Sequence, residues 1–277
     1  MPYTFTPLRY PGGKTQFYNR VVNIFHINNI DMPVYIEPFA GGAGLALKLL
    51  LTNKVKKIII NDLDEGVFSF WDTVINESDW LIHKIETIDI TFNEWEKQKS
   101  IYNNASSFSK KEVGFAFLFL NRCNRSGILY AGPIGGKKQN GKFKLDCRFN
   151  KTRLIELIKR LALLKNCIQI FNLDALDFIN KFKAIDNSFW FIDPPYFVKG
   201  SQLYRNSFQY RDHEQLALKI DACLKKQRWI LTYDNHDSIV NFYKNYNHRL
   251  VSLTYSVGTK KKEYELLFFN NLVVPVE

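Results

Sequence analysis

The sequence predicts an α/β protein whose mostly parallel sheet is interrupted by an inserted domain and ends in an antiparallel hairpin. Short apolar runs rich in β-branched residues alternate with helical patterns in both outer parts of the chain. The middle, from about residue 71 to residue 165, has helical patterns but few strand runs. The 277 residues are enough for one large domain with an insertion and for a core without disulfides.

The first strands of the predicted sheet flank a glycine-rich turn and a short helix. Residues 34–36 form an apolar, partly β-branched run, and residues 37–44 predict a turn. Good helix formers fill residues 45–51, and a second β-branched run follows at residues 57–60. This order of strand, turn, helix and strand predicts a parallel pair of strands.

The middle of the chain, residues 72–165, is predicted to form an inserted, mainly helical domain, which leaves residues 1–71 and 166–277 to the other domain. Residues 110–120 are apolar on much of their circumference, and residues 151–164 form an amphipathic helix. The stretch between them is basic and rich in glycine. Its turn signals at Gly135-Gly136 and Asn140-Gly141 predict a β-hairpin that extends from Gly135 to Arg148.

The alternation of strands and helices resumes after the insertion. Apolar runs predict strands at residues 168–171, 189–192 and 229–233, and a helical pattern covers residues 213–226. Two further runs, at residues 250–257 and 264–269, flank a turn at residues 258–262. They predict the antiparallel hairpin at the end of the sheet.

The charge of the chain points to a polyanionic partner. There are 38 Lys and Arg against 27 Asp and Glu, which gives a formal net charge of +11. Such an excess favours nucleic acid, although a basic surface that serves solubility is the alternative. With 46% hydrophobic and 23% charged residues, the composition excludes a disordered chain, a collagen-like repeat and a coiled-coil rod.

The sequence contains no segment that predicts a membrane anchor or a metal site. The longest apolar run, residues 115–120, is too short to span a bilayer, and the first residues lack the pattern of a signal peptide. We therefore expect a cytoplasmic protein. The four cysteines are scattered without zinc-ligand spacing, so we expect them to be reduced and expect no metal.

Four acidic residues directly follow predicted strands: Glu37, Asp62, Asp174 and Asp193. The carboxyl ends of parallel strands share one edge of a sheet, where ligands bind, so we expect these side chains to converge there. The alternative is that each one caps a helix or forms a turn, since aspartate favours both.

The glycine-rich turn predicts a ligand other than a dinucleotide. Its sequence, Gly41-Gly42-Ala43-Gly44, lacks the GxGxxG spacing of a pyrophosphate site. The preceding Glu37 would repel a phosphate but suits the ammonium and sulfonium charges of S-adenosylmethionine. Asp62 follows the glycines by about 20 residues, the position that bonds a ribose hydroxyl pair.

The segment Asp193-Pro194-Pro195-Tyr196 predicts a rigid strand exit that carries chemistry. The two prolines restrict the backbone, so the Asp193 carboxylate and the Pro194 carbonyl lie close together as acceptors. Two acceptors suit an exocyclic amino group with its two N–H donors, and Tyr196 offers a ring face to a planar base. The alternative is a rigid turn without a catalytic role.

Five motifs taken in order resemble those of the Dam-like N6-adenine-specific DNA methyltransferases with the α-type motif order, and the resemblance covers nearly the whole chain. The motifs are Tyr10-Pro-Gly-Gly-Lys14, Glu37-Pro-Phe39-Ala-Gly41-Gly42, Asn61-Asp62, Asn121-Arg122-Cys-Asn124-Arg125-Ser-Gly127 and Asp193-Pro-Pro-Tyr196. The resemblance implies a Rossmann-like S-adenosylmethionine-dependent methyltransferase sheet and a target-recognition domain at residues 72–165.

The resemblance also implies roles for individual residues. Asp193, Pro194 and Tyr196 match catalytic positions, where Tyr196 would stack on an extruded base. The positions matched to cofactor binding are Tyr10, Lys14, Glu37, Phe39, Gly41, Gly42, Asp62, Asp174 and Asp193. The residues expected to meet DNA are Arg122, Asn124, Arg125, Lys137, Lys138, Lys142 and Lys144, each lysine being equally compatible with a solvated surface. The family often has a third glycine where this chain has Ala43.

The expected activity is transfer of methyl from S-adenosylmethionine to the N6 amino group of a flipped adenine in double-stranded DNA. The expected protein is a monomer whose cognate restriction endonuclease, if it has one, is a functional partner rather than a stable complex. A methylase that acts on RNA or on protein glutamine is one alternative. A catalytically dead DNA-binding scaffold is another.

Overall fold

The computed structural model describes residues 4–10, 13–198, 208–255 and 261–275. By its internal contacts the chain forms two compact units. The helical unit comprises Met1–Pro11 and Asp64–Ile170, and the sheet unit comprises Gly12–Leu63 and Phe171–Glu277. The predicted inserted domain, residues 72–165, lies within the second segment of the helical unit. No helix in the described ranges is long and apolar enough to cross a membrane.

The strands form a seven-stranded sheet of order β3-β2-β1-β4-β5-β7-β6. Their bounds are β1 Val34–Glu37, β2 Lys57–Asn61, β3 Ile168–Phe171, β4 Ser188–Ile192, β5 Arg228–Asp234, β6 Asn247–Tyr255 and β7 Lys261–Asn270. β2, β1, β4 and β5 pair in parallel, whereas β7 pairs antiparallel with both β5 and β6. The predicted mixed sheet with a terminal antiparallel hairpin is confirmed. The middle of the predicted hairpin turn, residues 256–260, lies outside the described residues.

The helices of the described ranges agree with the predicted alternation. They are α1 Tyr18–Ile27, α2 Gly44–Leu51, α3 Glu65–Asn76, α4 Ser78–Thr87, α5 Phe92–Asn103, α6 Lys110–Cys123, α7 Lys151–Ala162, α8 Ala175–Phe182, α9 Tyr210–Cys223 and α10 Asp237–Phe242. The predicted helices at residues 45–51, 110–120, 151–164 and 213–226 correspond to α2, α6, α7 and α9.

β4 is the central strand of the sheet unit, and all five of its residues are buried. A parallel strand covered on both faces needs a continuous apolar run, which explains its sequence Ser-Phe-Trp-Phe-Ile. On one face Trp190 packs in a cluster with Trp229, Leu231 and Phe268. On the other face Phe189 contacts Phe25 edge to face, with ring centroids 4.8 Å apart. This packing fixes the strand end from which the site side chains project.

Close packing of two helices organises the helical unit. α3 and α6 lie against each other along their length. At their closest approach, a Cβ added to Gly114 of α6 would lie 2.5 Å from the Ser69 carbonyl oxygen of α3. Only glycine permits this separation, since any larger residue would displace backbone. α6 is therefore buried on most of its circumference, as its apolar sequence predicts.

The predicted β-hairpin over Gly135 to Arg148 is wrong. The described structure has turns there and a short 3-10 helix at Leu145–Arg148. A two-residue hairpin turn needs positive φ at Asn140 and Gly141, but neither residue has it. The Gln139 side chain organises the loop instead, because it donates to the Ile134 carbonyl at 2.8 Å and accepts from the Leu145 N–H at 2.9 Å.

The Asn121 side chain helps to dock the first residues of the chain within the helical unit. Asn121 is buried, donates to the Arg9 carbonyl at 2.8 Å and accepts from the Arg9 N–H at 2.8 Å. It also donates to the Gly127 carbonyl at 3.0 Å. Gly127 has φ +78°, and a Cβ there would lie 2.2 Å from the Arg9 carbonyl oxygen. Asn121 and Gly127, which begin and end the motif that contains Arg122, Asn124 and Arg125, thus have structural roles.

Candidate active site at the carboxyl ends of the strands

Acidic and polar side chains converge at the carboxyl ends of the central strands of the sheet unit. Glu37 ends β1, Asn61 ends β2, Asp193 directly follows β4 and Asp234 ends β5. Because these strands run in parallel, their ends share one edge of the sheet. Of the four acids predicted to converge here, Glu37 and Asp193 belong to this set and Asp62 directly follows Asn61, whereas Asp174 is exposed and caps a helix.

Asn61 ties together the segments that leave three neighbouring strands. Its buried amide donates to the Pro38 carbonyl and to the Leu173 carbonyl, each at 3.0 Å, and accepts from the Leu173 N–H at 2.9 Å. These bonds satisfy backbone groups that have left the sheet ladder. The glycine-rich turn after β1 is consequently held in a fixed position.

The glycine-rich turn adopts left-handed backbone at two positions. Gly41 has φ +45°, and its N–H donates to the Asp62 carboxylate at 2.8 Å. Ala43 has φ +46° at the residue that precedes α2, a region where a non-glycine residue is strained by about 1 kcal/mol or more. This position, where the family often has glycine, therefore requires the left-handed backbone that glycine adopts readily. In this chain alanine adopts it. The Ala43 N–H donates to the Ala40 carbonyl at 2.6 Å.

Glu37 is a buried carboxylate with an unsatisfied oxygen. Its side chain is 4% exposed, and its Oε2 has no hydrogen-bond partner among the described residues. Burial raises the pKa of Glu37 well above its usual range, and the nearby Asp193 carboxylate raises it further. A buried acceptor left unsatisfied costs free energy until a donor arrives. Glu37 therefore fits a ligand that carries cationic N–H groups.

Lys14 is the buried cation of the site. Its Nζ lies 3.0 Å from Asp193 Oδ1 and 3.7 Å from Glu265 Oε1, and it donates to the Tyr196 hydroxyl at 2.6 Å. The Tyr196 hydroxyl in turn donates to Glu265 Oε1 through a short hydrogen bond. Lys14, Asp193 and Tyr196 were predicted to belong to one site, and the structure brings all three together within the sheet unit.

Asp193 is fixed through one of its two carboxylate oxygens. Oδ1 accepts from the Thr232 hydroxyl at 2.6 Å and forms the ion pair with Lys14. Among the described residues, no hydrogen bond is made to Oδ2. The carboxylate is 16% exposed, so this oxygen remains available to a substrate donor.

The chain that leaves β4 is anchored by Asp234 of β5. The Asp234 carboxylate accepts from the Phe197 N–H at 2.9 Å and from the Val198 N–H at 2.8 Å. The Phe197 ring also packs between His213 and His236, with centroid distances of 5.0 and 4.3 Å. These contacts hold the segment after Tyr196, which the two prolines alone would not do.

Three site residues were missed by the sequence analysis: Glu265, Thr232 and Asp234. Glu265 and Thr232 lie on predicted strands, and Asp234 directly follows one; each contacts a residue of the site or of the segment after Tyr196 that is 36 to 69 positions away. One sequence signal could have indicated Glu265, because it is a charged residue inside an apolar strand run. Its cross-strand partners in the ladder are Asp234 and Val251.

The other residues predicted to bind a cofactor have the following positions. Asp62 is half-buried at the end of β2, and Phe39 is half-buried beside Phe208. Asp174 is exposed and caps α8 by accepting from the Leu176 N–H at 2.8 Å, which is the capping role that aspartate favours. Tyr10 belongs to the helical unit. For all four residues, cofactor binding stays a prediction.

The residues predicted to meet DNA divide into exposed and buried groups. Arg125, Lys137, Lys138, Lys142 and Lys144 are exposed on the loop between α6 and α7. Arg122 is half-buried, and desolvation together with the nearby Arg9 lowers its pKa to about 10. The prediction for Asn124 is wrong, because its fully buried amide accepts from Trp95 Nε1 at 2.7 Å and donates to two backbone carbonyls. It closes the loop and presents no group to a base.

Replacing Glu265 with glutamine is expected to change how stability depends on pH. Burial raises the pKa of Glu265 to about 7, although Lys14 opposes the shift. The folded protein thus holds this proton more tightly than the unfolded chain does. The resulting stabilisation is present below about pH 4.5 and is lost as the pH rises through about 7, by about 3 kcal/mol in all.

Urea unfolding of the wild type and Glu265→Gln at pH 5 and pH 8 measures this effect. Relative to the variant, the wild type should lose about 3 kcal/mol of unfolding free energy between the two pH values. Glu214→Gln, at an exposed position on α9, is the matched control and should follow the wild type. A wild-type-minus-variant difference that is equal at both pH values would contradict the raised pKa.

The chain is similar in sequence to known DNA methyltransferases. A family model described as D12 class N6 adenine-specific DNA methyltransferase matches residues 10–257. The Type II methyltransferase M.MjaIII of Methanocaldococcus jannaschii is 27% identical over 290 residues, which cover 95% of this chain and 98% of that protein. The modification methylase StsI of Streptococcus sanguinis is 23% identical over 71% of this chain and 29% of its own length.

A solved structure from Pyrococcus horikoshii also aligns with this chain. It covers 96% of this chain and 89% of that chain, with a TM-score of 0.45 and 12% identity. A similarity of this size carries no functional argument.

Proposed function

This chain belongs to the D12 class of N6 adenine-specific DNA methyltransferases. On that basis we propose that it transfers a methyl group from S-adenosylmethionine to the exocyclic amino group of an adenine. We propose that this adenine is flipped out of duplex DNA. The observation that carries the proposal is the fixed Asp193 carboxylate, which the Pro194 residue directly follows in the chain. Asp193 Oδ1 is held by Lys14 and Thr232, and Oδ2 is available to a substrate N–H. An amino group with two N–H donors matches these two acceptors.

The residues at the end of β1 fit the cationic groups of S-adenosylmethionine. Glu37 offers a buried carboxylate oxygen with no partner among the described residues, which suits an ammonium or a sulfonium. Asp62 and the turn at Gly41 and Gly42 would hold the ribose and the adjoining atoms. When bound, the cofactor supplies an activated methyl group on a positively charged sulfur.

In the proposed mechanism the protein acts mainly through positioning. The amino nitrogen of adenine is a poor nucleophile because its lone pair is delocalised into the ring. Asp193 and the Pro194 carbonyl accept its two N–H groups and turn the lone pair toward the methyl group. Lys14 and Thr232 keep the Asp193 carboxylate in place, and Tyr196 is proposed to stack on the base.

The adenine amino group lies inside the duplex, so the proposed reaction requires the base to leave the stack. The exposed basic loop between α6 and α7 is the proposed DNA contact, through Arg125 and the four lysines. Arginine suits the guanine edge in the major groove, whereas lysines suit phosphates. The name of the Type II relative supports a role beside a restriction endonuclease. We also propose that the protein is a monomer.

Glu37→Gln is expected to weaken S-adenosylmethionine binding and to abolish a proton release that accompanies it. Burial and the Asp193 carboxylate raise the pKa of Glu37, and a bound cation would lower it again, so binding is expected to release a proton. Loss of a buried charged hydrogen bond corresponds to a decrease in affinity of about 10-fold to 100-fold.

Calorimetric titration with S-adenosylmethionine in phosphate and in Tris buffer measures both quantities. The wild type should show a binding enthalpy that depends on the buffer, and Glu37→Gln should not. Glu86→Gln in α4 alters an exposed carboxylate of the helical unit and serves as the control. Equal affinity and equal proton release in wild type and Glu37→Gln would contradict the assignment.

The substrate class has two alternatives, RNA and protein glutamine. Labelled S-adenosylmethionine offered separately with duplex DNA, RNA and protein distinguishes them. We expect label in duplex DNA alone. Label only in RNA or protein would replace the proposal, and binding without transfer to any of them would favour a catalytically dead scaffold.

A further inference from the structure

A buried chain of hydrogen-bonding groups extends from Asp193 into the interior of the sheet unit. It passes from Asp193 Oδ1 to Lys14 Nζ at 3.0 Å and from Lys14 Nζ to the Tyr196 hydroxyl at 2.6 Å. A short hydrogen bond links that hydroxyl to Glu265 Oε1. Lys14 and Glu265 are 6% and 2% exposed, so the chain ends at a carboxyl group shielded from solvent. Positioning of the adenine amino group does not by itself use this end.

The acids around Lys14 outnumber the cation. Among the residues that the structure describes, Glu265 faces the charged and titratable groups of Lys14, Asp193, Tyr196 and, directly across the ladder on β5, Asp234. One ammonium cannot compensate several buried carboxylates, and like charges side by side are unfavourable. Burial and the nearby acids raise the pKa of Glu265 to about 7, even with Lys14 opposing. Glu265 can therefore gain or lose a proton near neutral pH.

The neighbouring acids are already committed to other groups. Both oxygens of Asp234 accept backbone N–H groups, from Phe197 and Val198. Asp193 Oδ1 is held by Thr232 and Lys14. Glu265 is the acid at which the hydrogen-bonded chain ends, and it lies away from the exposed edge of the site.

We propose that Glu265 receives the proton that the adenine amino group loses on methylation, acting through Asp193, Lys14 and Tyr196. The inference rests on the proposed function, because it concerns the proton of that same reaction. Glu265 does not touch the substrate in this scheme. It is a positioning residue that acts through Lys14 and Tyr196. Its state of ionisation sets that of Asp193, which does touch the substrate.

The step balances in atoms and charge. Methylation forms one N–C bond and breaks the S–C bond of the donor, whose electron pair stays on sulfur. The nitrogen then carries one proton too many and gives it to Asp193. Lys14 passes one of its own protons through the Tyr196 hydroxyl to Glu265. Its nitrogen then takes up the new proton from the Asp193 carboxyl group, after that proton has moved from the Oδ2 side to the Oδ1 side of the group. The positive charge of the sulfonium and the negative charge of the Glu265 carboxylate disappear together, so the net charge of the site does not change during the transfer. It changes only when Glu265 later releases the proton.

Single-turnover methylation of duplex DNA between pH 5.5 and 9 tests the proposal. The wild-type rate should fall tenfold for each pH unit below about 7, because protonated Glu265 cannot accept. Glu265→Gln should be slower than the wild type at pH 8 by about 10-fold to 100-fold and should lack this low-pH limb. Glu265→Asp keeps a carboxyl group and should keep the limb at a reduced rate. Glu214→Gln is the exposed control and should match the wild type.

A merely structural role for Glu265 would give a different result. Glu265→Gln would then alter stability or the KM for DNA while its rate kept the same pH limb, and this outcome would overturn the inference. A wild type that methylates DNA with no limb near pH 7 would also overturn it, with the proposed function left standing. A wild type that transfers no methyl to DNA would instead refute the proposed function itself.

A second readout does not depend on activity. Carbon-13 spectra of the free protein with labelled glutamate should contain one carboxyl resonance that titrates near pH 7. That resonance should be missing from Glu265→Gln and present in Glu214→Gln. Its presence in Glu265→Gln, or its absence from the wild type, would overturn the assignment to Glu265.

Discussion

Asp193→Ala is expected to lower the rate of methyl transfer by at least about a thousandfold while the protein stays folded and binds S-adenosylmethionine. The substitution removes the acceptor that holds the substrate amino group and leaves Lys14 with Tyr196 and Glu265 as neighbours. The effect should fall on kcat, since Asp193 acts on the geometry of the reacting nitrogen. Single-turnover kinetics with duplex DNA measures it directly.

The matched control is Asp186→Ala, an exposed aspartate just before β4. It removes the same group at the opposite end of β4, away from the site, and should retain wild-type kinetics. Asp193→Asn tests the role of charge, because the amide keeps an acceptor but cannot keep the ion pair with Lys14. Activity within tenfold of the wild type in Asp193→Ala would contradict the proposed role of this residue.

Replacing the four loop lysines with glutamine is expected to weaken duplex DNA binding by about 100-fold at low salt. The positions are Lys137, Lys138, Lys142 and Lys144, all exposed between α6 and α7. For every phosphate that the variant no longer neutralises, the slope of log affinity against log salt should become shallower by about 0.9. Binding of S-adenosylmethionine should not change. Fluorescence anisotropy with a labelled duplex at several salt concentrations measures the affinity and the slope.

A variant with the same change in net charge separates local contact from total charge. Lys97, Lys165, Lys183 and Lys226 are exposed lysines on other parts of the two units. Their replacement with glutamine should lower DNA affinity much less and should preserve the salt slope. Equal effects of the two quadruple variants would show that the loop is not the DNA contact.

The sheet was predictable because its signals are local. β1, β2, β4 and β5 are apolar runs whose buried neighbours on both faces require such sequences, and turn residues follow them. The loop after α6 was not predictable in the same way. Its Asn-Gly pair suggested a hairpin, but the side chain of Gln139 competes for the backbone groups that a ladder would use.

The same distinction holds for the site. Asp193 and Tyr196 carry a local motif, and Lys14 belongs to another, so their chemistry could be inferred from the sequence. Glu265 is brought to them by the register of β7 against β5, a pairing between strands far apart in the chain that no local pattern encodes. Asn124 shows the opposite error, since a polar residue in a basic stretch proved to be a buried structural group.

The most direct test of the account is transfer of labelled methyl from S-adenosylmethionine to unmethylated plasmid DNA, followed by nucleoside analysis. We predict that the label appears in N6-methyladenine with the wild type and that no label appears with Asp193→Ala. Label in another nucleoside, or none in DNA from a wild-type protein that binds the cofactor, would contradict it.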